Sequence, residues 1–442
     1  MKILILSPYP PYPPHGGGTM RIYQLIRGLS ERHDVTCLSF ATSVVAETAL
    51  APLQRICRVV TVRGPAPRGL ARRAWTTLSS PLPDMALRNA TPAYADSLRA
   101  LIATERFDVV QAESIEMAGY LPPVKSYELR VQSSGSQNMP RRAGQNSKLK
   151  TQNSKLILDQ FNAEYVLQKR AALNSWRAVV DRQSPIQNAA GATYSLAQWL
   201  KLARYEAQLM RSCDAVVAVA HEDRDVLREL APHTPIGVVP NGVDTSYFDR
   251  AAMALDRAGP LSFGGPTLVF SGTLDFRPNV DAVAWFAREA LPRVRARCPA
   301  ARLLVVGKRP APALRQLAAE GALTLTGEVP DARPYIAGAS VYVVPMRIGG
   351  GVRLKLLEAL ALAAPVVSTG MGAEGVTGLR AGEHCLLADD PASFATAVLR
   401  LLDDQALAKR LGIAGRALVQ EHYDWQVIVP RLEALYRDLG IG

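Results

Sequence analysis

Cysteine is scarce in this sequence, and its spacing gives no sign of a disulfide framework or a zinc site. The five cysteines among 442 residues are widely separated. Because a chain of this length can bury a core without disulfides, we expect reduced thiols and a reducing, cytoplasmic environment. Apolar runs are short as well, and none approaches the roughly 20 residues of a membrane span. The run that opens the chain is too short for a signal peptide and is better interpreted as a buried strand.

Histidine is also rare, and the sequence lacks the motifs of several functional classes. None of the six histidines lies in a turn typical of a Ser-His-Asp nucleophile. The glycine-rich segment Gly16–Arg21 ends in arginine and therefore lacks the Gly-x-Gly-x-x-Gly fingerprint of a dinucleotide-dependent oxidoreductase. No basic stretch is interleaved with stacking aromatics, which argues against a nucleic-acid partner.

The composition is that of a globular protein, with an uneven distribution of charge. Hydrophobic residues make up 48% of the chain and charged residues 20%, and the length suits two domains. Residues 1–240 hold 29 Lys+Arg against 19 Asp+Glu, so they carry +10 of the total +12. This excess either attracts an anionic membrane surface or a phosphate-bearing acceptor, or is an ordinary arginine-rich surface.

Short β-branched runs alternate with segments of helical periodicity, which is typical of parallel α/β units. The predicted strands are Lys2–Ser7, Val35–Phe40, Val59–Val62, Val109–Gln111, Leu156–Leu158 and Ala215–Val219, and then Thr267–Ser271, Arg302–Val306, Leu323–Thr326, Val341–Val344 and Val366–Ser368. The predicted helices include Arg21–Arg32, Val280–Arg297, Leu314–Glu320, Gly351–Ala364 and Trp425–Leu439. Two doubly wound domains in tandem follow from this series.

We place the first domain at residues 1–238 and the second at 239–421, with a C-terminal helix in 422–442. That helix is either an addition to the second domain or crosses back onto the first. Residues 132–155 stand apart, because Gln145–Leu149 is repeated as Gln152–Leu156 within a Ser/Gln/Asn-rich stretch. We interpret them as a low-complexity insertion in a surface loop.

The strongest candidate site follows the strand that ends at Val344. Three glycines, Gly349, Gly350 and Gly351, lead into a predicted helix that carries Arg353, Lys355 and Glu358. Glycine N–H groups at a helix start and a lysine ammonium can hold a diphosphate, and Glu358 can accept hydrogen bonds from ribose hydroxyls. The alternative is a plain Lys–Glu pair on a helix surface.

Two further glycine segments are weaker candidates. Gly16, Gly17 and Gly18 open the first helix, where an anion site and an ordinary turn are both open alternatives. Gly272 also follows a strand, and Arg277 nearby can add charge to the same diphosphate.

These pieces, in this order, resemble the family 4 glycosyltransferases over most of the chain. The motifs are the first glycine loop, Pro240–Asp244, Ser271–Leu274, Val305–Lys308, Thr326–Asp331 and Glu358–Ala361 followed by Pro365–Val367. The resemblance implies a GT-B fold, with two Rossmann-like domains facing across a cleft. It also implies a nucleotide-sugar donor in the second domain and a glycan or lipid-linked glycan acceptor in the first. Transfer would retain the anomeric configuration without a metal or other cofactor, in cell-surface polysaccharide synthesis at the inner face of the plasma membrane.

The same resemblance assigns residues to the two substrates. On the nucleoside side it implies Gly272, Gly307, Lys308, Gly327, Glu328, Val329 and Glu358, with the backbone at 327–329 reading the base. On the acceptor or sugar side it implies Arg21, Asn162 and Glu164. No catalytic residue is assigned, since the departing phosphate would itself help to deprotonate the acceptor.

The sequence departs from the family pattern on the sugar side. Gly350 stands where the family often has a first glutamate, and Phe161 stands where it usually has a histidine. Thr273 and Arg277 replace its basic pair. A GT-B nucleotide-sugar epimerase or a non-catalytic nucleotide-sugar-binding homologue therefore remain alternatives.

Two other segments have open interpretations. Asp223-Arg224-Asp225 is either an Asp-x-Asp metal motif or a set of acids opening a helix. Arg68–Leu87, which includes Trp75 and Leu78, is either a segment that rests on a membrane or a loop with a buried tryptophan.

Overall fold

A computed structural model describes residues 1–14, 16–41, 48–122, 154–180, 185–251, 253, 265–349 and 353–441. It divides into two compact units. Unit 1 comprises Met1–Val239 and Val429–Gly442, and unit 2 comprises Pro240–Ile428. Most of the predicted insertion at 132–155 lies outside the described residues, which resume at Ser154.

Unit 1 contains a seven-stranded parallel sheet in the order β3-β2-β1-β4-β5-β6-β7. Its five inner strands are almost entirely buried and mostly apolar, as expected of a sheet covered on both faces, whereas its two edge strands are partly exposed. The bounds are β1 Lys2–Ser7, β2 Asp34–Ala41, β3 Arg58–Arg63, β4 Val109–Glu113, β5 Lys155–Gln160, β6 Ala215–Ala218 and β7 Ile236–Val238. The predicted strands are confirmed, whereas the short and partly exposed β7 was not predicted.

The helices of unit 1 include a long pair that the sequence pattern did not predict. The bounds are α1 Gly17–Ser30, α2 Ala51–Gln54, α3 Leu70–Ser79, α4 Asp84–Arg88, α5 Pro92–Thr104, α6 Ile115–Ala118, α7 Glu164–Val180, α8 Pro185–Ser212 and α9 His221–Leu230. The long pair is α7 and α8. Their apolar residues do not form one stripe, since Leu173, Trp176, Leu196 and Leu200 are all exposed, so the periodicity signal is weak.

Unit 2 contains a six-stranded parallel sheet in the order β10-β9-β8-β11-β12-β13. The strands are β8 Thr267–Ser271, β9 Arg302–Val306, β10 Thr324–Gly327, β11 Val341–Val344, β12 Val366–Ser368 and β13 Leu386–Leu387. The helices are α10 Arg277–Trp285, α11 Leu291–Arg297, α12 Pro312–Ala319, α13 Arg333–Ala337, α14 Leu354–Ala361, α15 Gly370–Ala373, α16 Pro391–Asp403 and α17 Gln405–His422. A last helix, α18 Trp425–Asp438, begins in unit 2 and continues into unit 1. A π-helical turn, Phe286–Ala290, joins α10 to α11.

The bounds of α14 differ from the prediction at both ends. The helix begins at Leu354 after an extended Arg353, three residues later than expected. It ends at Ala361: Ala363 adopts a left-handed φ of 54°, and Pro365 disfavours a helical conformation at Ala364.

The last turns of α18 pack within unit 1. The Tyr436 hydroxyl donates a 2.6 Å hydrogen bond to Gln111 Oε1, and Arg32 Nε donates at 2.9 Å to Glu433 Oε1. None of the described helices combines the length and hydropathy of a membrane-spanning segment.

Both sheets reverse their strand order, at β1/β4 in unit 1 and at β8/β11 in unit 2. Ligands of doubly wound folds bind beyond the carboxyl ends of the strands at such a reversal. The candidate sites are therefore expected at the loops that follow these strands.

Candidate functional site

Three glycines mark the carboxyl ends of adjacent strands β8, β9 and β10 in unit 2. Gly272, Gly307 and Gly327 all have positive φ, of 152°, 156° and 74°. A Cβ on Gly307 would overlap the carbonyl oxygen of Gly272, and a Cβ on Gly272 would lie 2.9 Å from Asn279 Nδ2. Space is open above Gly327. The predicted nucleoside-side glycines therefore come together as a backbone surface that side chains would obstruct.

A lysine ammonium lies beside this surface. Lys355 Nζ donates a 2.7 Å hydrogen bond to Asn279 Oδ1, and the Asn279 amide donates at 2.8 Å to the Thr273 carbonyl. The ammonium also lies 4.0 Å from the centre of the Phe270 ring. Burial, and next the charge of Arg353, lower the pKa of Lys355 to about 7. Among the described residues, the groups that fix the Lys355 ammonium by direct contact are thus a neutral amide and an aromatic ring.

Glu358 follows Lys355 by three residues on α14 and lies on the same face of the helix. Burial raises the pKa of its carboxyl, and the positive charge of Lys355 opposes that rise. The helix geometry predicted for the diphosphate and ribose positions is present for these two residues. Gly350 and Gly351, the other predicted members, lie outside the described residues.

The remaining predicted basic residues differ in how close they lie to these glycines. The Arg353 guanidinium folds over Gly349, whose φ is 121° and whose Cβ would lie 2.6 Å from Arg353 Nη2. Arg277 is the exposed first residue of α10. Arg347, which was not assigned a role, pairs with Asp281 at 2.7 Å. Arg353 and Lys355 are therefore the predicted cations that the described contacts place nearest the glycines.

The predicted base-side residues lie at the ends of β9 and β10. Lys308 Nζ lies 3.6 Å from Glu328 Oε1, and the Glu328 side chain is 72% exposed. Val329 is partly buried against the core of unit 2. The packing of the Val329 side chain thus holds the backbone of residues 327–329 at the carboxyl end of β10.

One carboxylate at the same edge was missed by the sequence analysis. Glu374 follows β12 and the short helix α15, and its Oε2 is buried with no hydrogen-bond partner among the described residues. The turn before it packs on the segment after β11, since Thr369 donates its backbone N–H to the Val344 carbonyl at 3.1 Å. The available signal was an acid directly after the short helix that follows β12.

In unit 1 the first glycine loop caps α1. Gly16 is the N-cap residue, and its N–H donates a 2.9 Å hydrogen bond to Thr19 Oγ1. Gly16 and Gly17 are exposed, whereas a Cβ on Gly18 would overlap the Tyr9 hydroxyl and lie 3.2 Å from the Phe161 ring. Packing of Tyr9 is a sufficient reason for glycine at position 18, while the open helix start leaves the anion hypothesis for positions 16 and 17 in place.

Arg21 differs from its predicted position on the substrate side. Its side chain is 1% exposed and pairs with buried Asp159 through two 2.9 Å hydrogen bonds. Burial raises the pKa of Glu113, also buried at the end of the neighbouring strand. Arg21 therefore ties α1 to β5 and can act on a ligand by positioning the helix start, not by direct contact.

Asn162 and Glu164 lie just after β5, and their role on the acceptor or sugar side stays a prediction. Asn162 Nδ2 donates at 3.3 Å to Glu164 Oε1, and burial raises the pKa of the Glu164 carboxyl. Asp223 accepts a hydrogen bond from the Ala163 N–H at 3.3 Å and lies in the first turn of α9. The Asp-x-Asp sequence thus opens a helix, and no group of three metal-ligating side chains occurs among the residues described.

Comparison with known proteins gives consistent matches. The sequence family described as glycosyl transferases group 1 matches residues 265–404, and glycosyltransferase family 4 matches residues 188–247. Phosphatidyl-myo-inositol mannosyltransferase from Mycobacterium tuberculosis is 34% identical over 212 residues, covering 46% of this chain and 54% of that protein. The chain therefore aligns with about half the length of this relative.

Solved structures show the same architecture. Sucrose-phosphate synthase from Thermosynechococcus elongatus matches with a TM-score of 0.65 at 18% identity, over 99% of both chains. Anabaena HepE in complex with UDP matches with a TM-score of 0.61 at 13% identity, over 99% of this chain and 100% of that one. At these identities the likeness establishes the fold. With the two Rossmann-like sheets it gives the chain the GT-B fold, and the sequence is similar to the group 1 glycosyltransferases over residues 265–404 and to glycosyltransferase family 4 over residues 188–247.

Proposed function

We propose that the protein transfers a sugar from a nucleotide-sugar donor to a glycan or lipid-linked glycan acceptor. The observation that carries this proposal is the Lys355 ammonium, held by Asn279 beside the glycines of β8 and β9, with Glu358 one turn further along α14. A cation, exposed backbone and a carboxylate at this spacing suit a diphosphate and the ribose attached to it. Unit 2 would then bind the donor.

Stabilisation of the departing nucleoside diphosphate is the chemistry that these residues can supply. Negative charge develops on the phosphate as the bond to the sugar breaks, and a fixed ammonium stabilises that charge. Lys355 would serve this purpose directly, with Arg353 and Arg277 as further cations, so we propose that no metal is required. The departing phosphate oxygen would take the acceptor proton on the same face, which makes the reaction retaining.

We assign the contact with the donor sugar to Glu374. The family position for an acid is occupied by Gly350, so another carboxylate must accept the hydroxyl hydrogen bonds of the sugar. Glu374 has a buried oxygen without a partner among the described residues, at the same sheet edge. A buried carboxylate oxygen costs free energy until it accepts a hydrogen bond, which a sugar hydroxyl would provide.

The relatives support the substrate classes. The name of the mycobacterial relative describes mannosyl transfer to phosphatidyl-myo-inositol, and HepE has been solved with UDP. We therefore propose a nucleoside diphosphate sugar as donor and an acceptor bound by unit 1, with the protein working in the cytoplasm at the inner face of the membrane. A role in cell-surface polysaccharide synthesis is part of this proposal.

A thermal-shift screen against UDP-, GDP- and dTDP-sugars tests the donor site. We expect one nucleotide to raise the melting temperature, and Lys355→Ala and Glu358→Ala to abolish most of that rise. Glu320→Ala, at the exposed end of α12, is the matched control. If both site variants respond to the nucleotide as the parent does, the donor site is misplaced.

Product analysis separates the alternative activities. Transfer requires an acceptor, whereas an epimerase converts the donor alone. A non-catalytic homologue would bind the nucleotide sugar with neither reaction. Conversion of the donor in the absence of any acceptor would therefore contradict the transferase proposal.

A further inference from the structure

Two carboxyl groups lie side by side in the interior of unit 1. Glu113 ends β4, Asp159 lies one residue before the end of β5, and the two residues are register partners in the parallel pairing of these strands. Register partners project from the same face of a sheet, on strands about 5 Å apart. Both side chains are 0% exposed. Two acids therefore meet at a place that water does not reach.

A guanidinium is paired with one member of this couple. Arg21 Nε and Nη2 each donate a 2.9 Å hydrogen bond to the carboxylate of Asp159. Glu113 instead accepts a 2.7 Å hydrogen bond from the neutral amide of Gln111, and its Oε2 has no hydrogen-bond partner among the described residues. Burial, and next the charge of Asp159, raise the pKa of Glu113 to about 8. Glu113 is thus the member that keeps a proton.

The other titratable groups near Glu113 add no positive charge. Tyr9 follows β1, Cys37 lies on β2 and Tyr436 lies on α18, and burial is the main cause that raises the pKa of each. All three are therefore neutral near pH 7. Arg21 is the cation that the described contacts place against the two acids. One guanidinium and two carboxyl groups are electrically balanced when one proton is retained.

The C-terminal segment, Val429–Ile441, is connected to this acid pair. The Tyr436 hydroxyl donates a 2.6 Å hydrogen bond to Gln111 Oε1, and the Gln111 amide donates in turn to Glu113. Tyr436 is 0% exposed, so its ring closes this part of the interior. Separation of the segment from unit 1 would therefore uncover the polar chain that leads to Glu113.

The segment is also held at the end of α1. A Cβ on Gly28 would lie 2.6 Å from Val429 Cγ2, so the absence of a side chain permits this close packing. Glu433 accepts a 2.9 Å hydrogen bond from Arg32 Nε and lies 3.0 Å from His33 Nε2. The imidazole of His33 is a second titratable group at the segment, and an experiment must separate it from Glu113.

We propose that Glu113 and Asp159 hold one proton between them beneath the C-terminal segment, and that this proton stabilises the docking of the segment on unit 1. When the segment opens, water reaches the pair and Glu113 releases its proton to solvent. Opening therefore becomes more favourable as the pH rises from the ordinary range of a glutamate to the raised pKa of Glu113. Above that pKa the dependence levels off, because the docked state is then ionised as well. Neither the donor site nor transferase activity enters this inference.

Hydrogen–deuterium exchange of the full chain tests the proposal. The readout is the protection factor of the amides in Val429–Ile441, which compares their exchange with that of an unstructured peptide at the same pH. Between pH 5 and 8 we expect the protection of the parent to fall by up to about tenfold per pH unit, because one proton is released on opening. Glu113→Gln cannot ionise and should lose most of that fall. A flat parent profile, or the full slope of the parent in Glu113→Gln, would overturn the proposal.

Two matched variants separate this effect from other titrating groups. Glu206 is also 0% exposed, and burial raises its pKa to about 8, but it accepts a hydrogen bond from Gln160, which projects from the opposite face of β5. Glu206→Gln should therefore leave the slope of the segment unchanged. An equal loss of slope in that variant would mean that the segment exchanges only when the whole of unit 1 unfolds, and would overturn the proposal.

His33→Asn keeps the test decisive if Glu113→Gln does not fold. It removes the imidazole beside Glu433 and leaves both buried acids in place. We expect lower protection of the segment with most of the slope retained. Loss of the slope in His33→Asn would assign the pH dependence to the imidazole and overturn the role of the shared proton.

Discussion

The Lys355 ammonium donates a 2.7 Å hydrogen bond to the Asn279 side chain, linking the first turn of α14 to the first turn of α10. These helices follow the neighbouring strands β11 and β8. The link therefore fixes a cation at the point where the strand order of unit 2 reverses. Because the Phe270 ring lies 4.0 Å from the ammonium, the cation is held by a neutral amide and an aromatic face rather than by an acid.

This environment predicts a pH-dependent affinity for the donor. The pKa of Lys355 is lowered to about 7 by burial, so the ammonium that would bind the diphosphate is lost as the pH rises above 7. A nucleotide-sugar diphosphate ester does not titrate in this range. We expect its dissociation constant to be lowest below pH 7 and to rise by up to about tenfold per pH unit above it, until the pKa of the bound state is reached.

Calorimetry in two buffers of different ionisation enthalpy checks this expectation. Binding at pH 8 should take up a proton, because the diphosphate raises the pKa of the ammonium. Lys355→Met should bind weakly with no proton uptake and a flat profile from pH 6 to 9. If the donor affinity of Lys355→Met depends on pH as that of the parent does, the group that titrates is not Lys355.

The contact between Gly307 and the Gly272 carbonyl predicts a large loss of stability on substitution. In Gly307→Ala the added Cβ would overlap a backbone oxygen, and the alanine would have to adopt an unfavourable φ of 156°. We expect a cost of roughly 3 kcal/mol or more, which corresponds to about 6–12 °C in the unfolding transition of unit 2.

Gly321→Ala is the control for this prediction. Its φ of 74° also favours glycine, although less strongly than 156°, and no atom lies within 4 Å of the added Cβ. The backbone term alone costs about 1–2 kcal/mol. Equal melting temperatures for the two variants, measured by calorimetry, would show that the close approach at Gly307 is relaxed in solution.

Most strands of both sheets could be predicted because they are buried and mostly apolar on both faces. Such strands appear in the sequence as short β-branched runs, as at Thr267–Ser271 and Val341–Val344. The helices that cover them carry turn and capping residues, as at Pro278 in the first turn of α10. The donor-side residues rest on local signals of the same kind, a glycine after a strand and a charge one turn into a helix, and their role stays a prediction.

The rest depends on contacts between distant residues. Nothing near Arg21 in the sequence indicates that Asp159, 138 residues away, would bury it. Two cavities of unit 1 likewise border both Arg68, in the loop before α3, and Arg88, the last residue of α4, and Glu374 is notable only because its carboxylate lacks a partner among the described residues. The helix pair α7 and α8 lacks a single apolar stripe, so its periodicity carried little information.

The Tyr9–Gly18 contact separates packing from anion binding at the first glycine loop. Gly18→Ala should destabilise unit 1 by about 1–3 kcal/mol, because the added methyl overlaps the Tyr9 hydroxyl. Tyr9→Phe removes that hydroxyl, so the double variant should recover most of the stability. A double-mutant cycle measured by denaturant unfolding should give a coupling of about 1 kcal/mol or more. No coupling would mean that glycine is required at position 18 for a reason other than Tyr9.

Glu374 offers the sharpest test of the assigned donor-sugar contact. Its carboxylate would accept hydroxyl hydrogen bonds of the donor sugar, and such bonds strengthen as charge develops on the ring. Glu374→Gln should therefore lower kcat by about a hundredfold while the affinity for the free nucleoside diphosphate stays within about twofold, because the nucleotide does not touch this residue. Glu383→Gln, in a nearby exposed pair with Arg380, is the matched control and should leave both quantities unchanged. A parallel loss of nucleotide affinity in Glu374→Gln would show that the residue supports the fold of the sheet edge, and the sugar contact would then have to come from elsewhere. An unchanged kcat would remove Glu374 from the site altogether.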